Sequence, residues 1–297
     1  MAKRNKRKFK ALYLRRITQL IVLTGIILIP LYSQNPLSWS PSRIVLGHLP
    51  PPRVSPVTGD TWVFSFKNFT LIHPLAFLDQ LVSTKAVYVP LLSALVIPLA
   101  ITLILGRVFC SWLCPMGFIF EMNQRINTLL KGIGLNLNFK IKDYSLIIFA
   151  ILLVTGFFFA LPILSIFDPP HLLGREFMFL FTHQEISITG GLFILLILLL
   201  EAFTVKRLWC KRLCPSGGGL SLLGSKRILH IQMDSEACTG CESCNEACPY
   251  DLKPMGLAEG KDIDWFKCDN CGLCRDVCPT SALSYQLGRR KTSMNKT

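Results

Sequence analysis

Residues 238–249, CTGCESCNEACP, and residues 268–279, CDNCGLCRDVCP, decide how the C-terminal part of the chain folds. Both follow the pattern CxxCxxCxxxCP, in which three thiolates spaced two residues apart wrap one iron–sulfur cube and the fourth points to a second cube. The pattern predicts a ferredoxin-like α+β domain with two [4Fe–4S] clusters. Zinc sites or disulfides are the alternatives, but zinc motifs seldom carry four cysteines per unit or a proline after both copies.

The crossed arrangement of such motifs assigns each cysteine to one of two ligand sets. The first cluster is expected on Cys238, Cys241, Cys244 and Cys278. The second cluster is expected on Cys248, Cys268, Cys271 and Cys274. Two cubes held in this way lie close enough for rapid electron hopping, so the domain is predicted to conduct electrons.

The rest of the chain is unusually apolar, since 51% of the 297 residues are hydrophobic. Four runs approach the roughly 20 residues that a helix needs to cross a bilayer. They are residues 17–32, 86–105, 144–167 and 186–205. A helix satisfies its own backbone in lipid, so these runs favour spanning segments over buried soluble helices. We therefore predict an α-helical membrane protein with four transmembrane helices as two repeated hairpins, followed by the C-terminal 2[4Fe–4S] domain.

Basic residues predict the orientation of these segments. Lysine and arginine precede the first run, separate the second from the third, and follow the fourth, which places both termini on the cytoplasmic side of the membrane. These flanks account for the net charge of +14, so nucleic acid is not an expected partner. The expected segments are a basic N-terminus (1–16), a membrane domain (17–216), a linker (217–230) and a ferredoxin domain with a basic tail (231–297).

The four remaining cysteines form a duplicated motif. Residues 107–117 read RVFCSWLCPMG and residues 207–217 read RLWCKRLCPSG, so the two CxxxCP units lie 100 residues apart. In a helix, positions four apart share a face, so each pair of sulfurs is expected to point the same way. Cys110, Cys114, Cys210 and Cys214 are candidates for a further iron–sulfur cluster, a Cu(I) ion or a zinc ion. The alternative is that they are small buried residues at a helix end before a proline.

With these motifs in place, the whole chain resembles the NapH family, the membrane ferredoxin-type subunits of a quinol dehydrogenase that serves periplasmic nitrate reductase. The resemblance rests on the CxxxCP unit after the second and fourth runs, the eight-cysteine pair, and the FDPP element at residues 167–170. It implies electron transfer from menaquinol or ubiquinol in the membrane to a NapG-type ferredoxin and onward to a periplasmic cytochrome or nitrate reductase. It also implies a component of a quinol dehydrogenase complex and not a stand-alone enzyme.

A quinol site needs a group that accepts a hydrogen bond and a proton from the ring hydroxyl. Four of the five histidines are expected in the outer loops, namely His48, His73, His171 and His183. His73 and Asp168 hold equivalent places in two similar outer stretches, each just before a proline, and are the first candidates. The alternative is that loop histidines are solvated and that Asp-Pro begins a turn.

Two other function classes remain open. A metal-handling factor of the CcoG or NosR type would use the ferredoxin to reduce copper held by the CxxxCP cysteines. A structural membrane anchor would recruit a soluble ferredoxin without accepting electrons from quinol. Copper in the purified protein would indicate the metal-handling factor. Clusters that quinol cannot reduce would indicate the structural anchor.

Overall fold

The computed structural model describes residues 11–32, 57–67, 69–135, 141–183, 188–204 and 207–288. The first elements are α1 (Ala11–Tyr32), β1 (Val57–Gly59), β2 (Val63–Phe66), β3 (Phe69–Ile72), α2 (Pro74–Thr84), α3 (Val89–Leu105), a first π-turn (Phe109–Leu113) and α4 (Pro115–Gly132). The next are α5 (Ser145–Phe159), α6 (Ile163–Phe167), α7 (Pro169–His183), α8 (Ile188–Phe203), a second π-turn (Trp209–Leu213) and α9 (Pro215–Leu223). The last are β4 (Leu229–Met233), α10 (Ser243–Ala247), a 3₁₀ turn (Pro254–Glu259), α11 (Leu273–Val277) and β5 (Leu283–Leu287).

The prediction of four transmembrane helices in two hairpins is wrong. Among the described residues, one helix, over Ala11–Ile29, is long and apolar enough to cross a membrane. The other apolar runs form α3, α5 and α8, which have 17, 15 and 16 residues. At 1.5 Å per residue these helices are ~22 to 26 Å long, whereas the hydrocarbon layer is ~30 Å thick.

Backbone breaks within or directly after two of the apolar runs end their helices. α3 ends at Gly106, whose φ of 82° is readily adopted only by glycine. α5 ends at Ala160, which has a φ of 53°, and Pro162 follows two residues later. Hydropathy joins the apolar residues on both sides of such a break into one run. The basic residues at 1–10 and 289–297 and residues 33–56 of the first expected outer loop lie outside the described residues.

The two CxxxCP units adopt the same local structure. In each copy an apolar helix leads to a π-turn and then to a helix that begins with proline, in the order α3 to α4 and α8 to α9. Cys114 and Cys214 are the N-cap residues of α4 and α9, with φ and ψ of −68° and 116°, and of −65° and 116°. Proline suits the first helical position because its φ is fixed and its missing N–H is not needed there.

The glycines at residues 217–219, where the expected linker begins, are closely packed in α9. A side-chain carbon at Gly218 would lie 2.7 Å from the carbonyl oxygen of Ser145, and one at Gly219 would lie 2.8 Å from Leu75 and Phe149. α9 therefore packs directly on α2 and α5. The expected linker over residues 217–230 thus begins inside this packed helix.

The C-terminal part is a small α+β unit. Strands β4 and β5 pair antiparallel, with Ile231 opposite Tyr285 and Met233 opposite Leu283. The two loops that carry the eight cysteines and the helices α10 and α11 cover this pair of strands. Its core contains Ile231, Met233, Ile263, Trp265 and Leu283 together with several of the cysteines.

Candidate functional site

The two cysteine loops of the C-terminal unit follow the same backbone path. In the first loop Gly240 and Glu242 have φ values of 69° and 58°. In the second loop the equivalent residues, Asn270 and Gly272, have φ values of 54° and 77°. Left-handed residues at these positions turn the chain sharply, which lets three cysteines spaced two apart face one centre. A short helix then leads each loop to its fourth cysteine.

The fourth cysteine of each loop lies with the first three of the other loop. One small cavity is lined by Cys238, Cys241, Cys244 and Cys278. A second small cavity is lined by Cys248, Cys268, Cys271 and Cys274. We call the first group, which includes Cys238, the outer set, and the second group, which includes Cys268, the inner set. The structure therefore groups the eight cysteines as the crossed motif predicts.

The chemistry of both sets suits iron–sulfur clusters. All twelve cysteines are free, so none is used in a disulfide. Backbone N–H groups point at the sulfurs, as from Leu252 to Cys248 Sγ at 3.5 Å, and such hydrogen bonds tune cluster potentials. Among the described residues, no three histidine, cysteine, aspartate or glutamate side chains are close enough to share a single metal ion. A cube with four irons is held by more widely spaced thiolates than a single ion.

The two sets differ in burial. Cys268, Cys271 and Cys274 of the inner set are 6 to 8% exposed. In the outer set Cys241 is exposed and Cys238 is partly exposed. Burial raises the pKa of Cys268 to about 11, which means that a positive centre is needed to hold the thiolate form. The inner set is thus an enclosed site, and the outer set faces the surroundings.

Hydrogen bonds join the inner-set loop to the first π-turn and to the end of α3. Ser111 Oγ donates to the carbonyl of Asp269 at 2.8 Å, and Trp112 Nε1 donates to the carbonyl of Asn270 at 3.3 Å. The Asn270 side chain in turn donates to the carbonyl of Leu105 at 2.8 Å. These contacts attach the inner set directly to the CxxxCP part of the molecule.

The four CxxxCP thiols lie in the adjacent buried region. Each cysteine pair spans a π-turn and not the regular helix that the sequence suggested. Burial raises the pKa of Cys214 to about 12, and negative charge on Asp168 and Cys110 acts in the same direction. Burial also raises the pKa of Cys114, with further contributions from Cys110 and Cys214. The two copies therefore bring their thiols within electrostatic range of each other, although not into the geometry of a single-ion site.

Tyr250 lies between the inner set and the CxxxCP cysteines. Its side chain is 2% exposed and lines the inner-set cavity. The guanidinium carbons of Arg107 and Arg207 lie 5.4 Å and 5.9 Å from its ring centroid. Each arginine is three residues before the first cysteine of a CxxxCP unit. An aromatic ring flanked by two buried cations thus connects the two groups of cysteines.

A cavity of about 470 Å³ opens beside the first π-turn. Apolar side chains of α1, β2, β3 and α3 form most of its wall, and the polar residues are Asp60, Thr61 and His73. Its size falls within the range of small-molecule sites. It also reaches Phe109, the residue before Cys110.

His73, a predicted candidate, lines this cavity. It is the N-cap residue of α2, where its Nδ1 accepts a hydrogen bond from the Leu75 N–H at 3.3 Å. The Nε2 atom is buried without a hydrogen-bond partner. Burial lowers the pKa of His73 to about 4, so the ring is neutral near pH 7. Its ring centroid lies 4.5 Å from that of Phe109.

Asp168, the other predicted candidate, does not line the cavity. Its carboxylate accepts a hydrogen bond from Trp62 Nε1, and Trp62 does line the cavity. Burial raises the pKa of Asp168. Asp168 and His73 each precede a helix that begins with proline. Of the other candidate histidines, His48 lies outside the described residues and His183 ends α7.

Asp60 was not among the residues predicted for the site, and the pairing of His171 with it was not predicted either. Asp60 Oδ2 lies 2.5 Å from His171 Nδ1, and Asp60 Oδ1 accepts the Trp62 N–H at 2.8 Å. The His171 ring stacks on Trp62 with centroids 4.7 Å apart. The available signal was the Gly-Asp turn before β2, which is too common to indicate a site.

Family models match both halves of this arrangement. A model described as a 4Fe-4S binding domain matches residues 88–133 and again residues 187–231, which are the two CxxxCP copies. A model described as a 4Fe-4S dicluster domain matches residues 230–279. The duplication and the C-terminal iron–sulfur unit are therefore family features.

Named relatives cover most of the chain. The ferredoxin-type protein NapH of Escherichia coli is 29% identical over 220 residues, which are 72% of this chain and 74% of NapH. NapH of Haemophilus influenzae is 24% identical over 75% of this chain and 80% of its own length. Over most of its length the chain is therefore similar to the NapH ferredoxin-type proteins.

This NapH-like chain is also similar to the methylamine utilization ferredoxin-type protein MauN of Methylobacillus flagellatus. The two are 27% identical over 63% of this chain and 64% of MauN. No solved structure matches the chain. Together the comparisons establish an electron-transport protein with 4Fe-4S domains.

Proposed function

We propose that this NapH-like protein passes electrons from membrane quinol, either menaquinol or ubiquinol, through two [4Fe–4S] clusters to a NapG-type ferredoxin. A periplasmic cytochrome or nitrate reductase would be the later acceptor, and the chain would act as one component of a quinol dehydrogenase complex. The observation that carries the proposal is the buried junction of the inner set, Tyr250 and the CxxxCP thiols beside an apolar cavity.

The location proposed is the bacterial inner membrane, with both termini in the cytoplasm. The anchor is α1, and exposed apolar side chains extend the surface that contacts lipid. Val96 of α3 and Phe158 of α5 are 62% and 77% exposed, and many of their neighbours are also exposed. Single apolar residues are common on soluble surfaces, but contiguous patches mark contacts with membranes or proteins.

The proposed ligands are the four cysteines of the outer set and the four of the inner set. When bound, each cluster supplies a centre that takes up and releases one electron. The protein's own residues enclose the inner set, point backbone N–H groups at the sulfurs, and leave Cys241 exposed at the outer set. This difference supports an electron order from the quinol through the inner set to the outer set and then to the partner.

Replacing Tyr250 with leucine is expected to slow quinol-driven reduction ~10-fold or more, because the aromatic bridge to the inner set is removed. Tyr250→Phe keeps the ring and is expected to retain most of the wild-type rate. Reduction by dithionite, which enters at the exposed outer set, should be unchanged in both variants. Stopped-flow absorbance of the clusters measures these rates. Equal quinol-driven rates for Tyr250→Leu and the wild type would exclude an electron path through Tyr250.

A second candidate function is copper reduction or metal maturation of the CcoG or NosR type. The proximity of Cys110, Cys114, Cys210 and Cys214 favours it, because soft thiolates select Cu(I). In that case purified protein should contain stoichiometric copper that Cys110→Ser or Cys214→Ser removes.

Under the quinol proposal, Cys110→Ser and Cys214→Ser should keep the iron content and dithionite reduction of the wild type. Quinol-driven reduction should fall ~10-fold or more. Cys110 follows the cavity residue Phe109, and Arg107 interacts electrostatically with Cys110, Cys214 and Tyr250. Iron and copper analysis on the same samples separates this result from the copper hypothesis. Wild-type reduction rates in both variants would exclude a redox role for the motif.

The proposed function is tested by mixing the anaerobic, purified full-length protein with menadiol, a soluble menaquinol analogue. Bleaching of the iron–sulfur absorbance, together with eight irons per chain, is the expected result. If dithionite bleaches the iron–sulfur absorbance but menadiol does not, the result would contradict quinol oxidation. Such a protein would match the structural-anchor hypothesis if it also lacked copper.

A further inference from the structure

We propose that the 470 Å³ cavity binds the quinol ring, that the Asp60–His171 pair removes its protons, and that His73 donates a hydrogen bond to a ring oxygen. The inference rests on the proposed quinol function, because it assigns the place where that substrate reacts. It goes further by naming a proton acceptor, Asp60, that neither the cysteine motifs nor the family comparisons indicate.

The wall of the cavity suits a flat apolar ring with two oxygens. Ile21, Gly25 and Ile26 of α1 form one side, and Trp62 and Phe64 contribute aromatic surface. The polar residues among its lining are Asp60, Thr61 and His73. A largely apolar wall with few convergent polar groups is typical of small-molecule sites. Phe64 is 37% exposed, which gives an apolar surface at the approach to the cavity.

The tautomer of His73 follows from its helix cap. Nδ1 accepts the Leu75 N–H, so in the neutral ring the proton resides on Nε2. Nε2 is buried and has no partner, and the residue is 7% exposed. A buried donor without a partner is uncommon and indicates that a ligand acceptor completes it. A quinone carbonyl oxygen is such an acceptor, so His73 is suited to hold the oxidised ring and not to remove a proton.

The Asp60–His171 pair, unlike His73, is suited to accept protons. Burial acts to raise the pKa of Asp60, but the hydrogen bond and the charge of His171 outweigh it and keep this pKa below its ordinary value. Asp60 is therefore a carboxylate that accepts hydrogen bonds from a ring hydroxyl. The His171 side chain is 23% exposed and connects Asp60 to the surroundings. A proton taken up by Asp60 can leave through this imidazole.

Oxidation of one quinol at this site releases two protons and two electrons. Two O–H bonds of the quinol break, and both protons pass in turn to Asp60 and out through His171. Two electrons leave the ring, which becomes a quinone, and two oxidised [4Fe–4S] clusters held by the inner-set and outer-set cysteines would serve as the one-electron acceptors. Phe109, packed on His73 and followed by Cys110, lies on the side of the cavity toward the cysteines.

The test measures ligand binding and reduction separately on the full-length protein in nanodiscs. The binding probe is 2-heptyl-4-hydroxyquinoline N-oxide, whose own fluorescence is quenched on binding, and the electron donor is menadiol. Gly25→Phe fills the cavity, because a side-chain carbon at Gly25 has no other atom within 4 Å. Gly132→Phe is the matched control, since Gly132 has equally open surroundings and lies outside the cavity.

Gly25→Phe is expected to abolish probe binding and menadiol-driven reduction, while dithionite reduction and iron content stay at wild-type values. Asp60→Asn is expected to keep probe binding and to lower the menadiol rate ~100-fold or more, as for loss of a general base. Gly132→Phe should match the wild type in every measurement.

Two outcomes overturn the inference and can be told apart. If menadiol reduces the wild type and also Gly25→Phe and Asp60→Asn at the same rate, the quinol reacts elsewhere and the proposed function stands. If menadiol does not reduce the wild type and the probe does not bind, the proposed function and this site fall together.

Discussion

Replacing Cys271 with alanine is expected to lower menadiol-driven reduction of the remaining iron–sulfur centre ~100-fold or more. Cys271 is 8% exposed and belongs to the inner set, whose loop is hydrogen-bonded to the first π-turn. If electrons enter the C-terminal unit through the inner set, its loss disconnects the outer set from the quinol. Dithionite should still reduce the outer set, because Cys241 is exposed.

The matched variant is Cys241→Ala, which removes a ligand of the outer set instead. Menadiol should still reduce the inner set of this variant at a near-wild-type rate, and transfer to an external acceptor should be lost. Both variants are expected to retain about half of the wild-type iron. Equal menadiol rates in Cys271→Ala and the wild type would show that electrons do not pass the inner set first.

The second large effect is expected on stability, from Glu121→Ala in α4. The Glu121 carboxylate is 7% exposed and pairs with Arg15 at 2.6 Å, with Arg16 at 2.7 Å and with Arg207. Arg15 and Arg207 are 1% and 2% exposed. Removing the carboxylate takes the acidic partner from the buried Arg15 and leaves Arg207 with the more distant Asp269, at 3.9 Å. Breaking a buried pair in this way costs about 3–5 kcal/mol. The free energy of unfolding in detergent measures the loss.

The control for Glu121 is Glu259→Ala, which breaks the exposed pair with Lys261. Exposed ion pairs contribute little, so the unfolding free energy should not change measurably. An equal effect of the two substitutions would mean that the Glu121 cluster does not hold α1 against α4 and the second π-turn.

The cysteine spacing predicted the C-terminal site well because the chemistry of that site is local. Three cysteines spaced two apart need sharp local turns, and the sequence encodes one left-handed glycine in each loop, Gly240 and Gly272. The crossed assignment follows once two such loops pack on one pair of strands. The pattern carries no information on burial, so it did not show that the inner set faces Tyr250.

The membrane helices were wrongly predicted because hydropathy does not register backbone breaks. Ala160 ends its helix inside an apolar run, and Gly106 ends its helix directly after one. The basic residues beside the apolar runs include some that lie inside the protein. Arg15, Arg107 and Arg207 belong to these groups, but all three are buried. A charge count cannot distinguish a flank from a buried ion pair.

The cavity and its proton acceptor could not be found from sequence because their residues are distant along the chain. Asp60 and His171 are 111 positions apart and meet only when the turn between β1 and β2 packs against α7. His73 was proposed from its position before a proline, and the structure places it in the cavity wall. Its helix-cap contact, which sequence alone does not show, changes its expected role from proton acceptor to hydrogen-bond donor.

Freeze-quench EPR on the full-length protein in nanodiscs, mixed anaerobically with menadiol, tests the central claim most directly. The account predicts reduced [4Fe–4S] signals that appear with menadiol alone and that Tyr250→Leu delays. Signals that form only after dithionite is added, with wild type and Tyr250→Leu indistinguishable, would contradict electron transfer from quinol through the inner set.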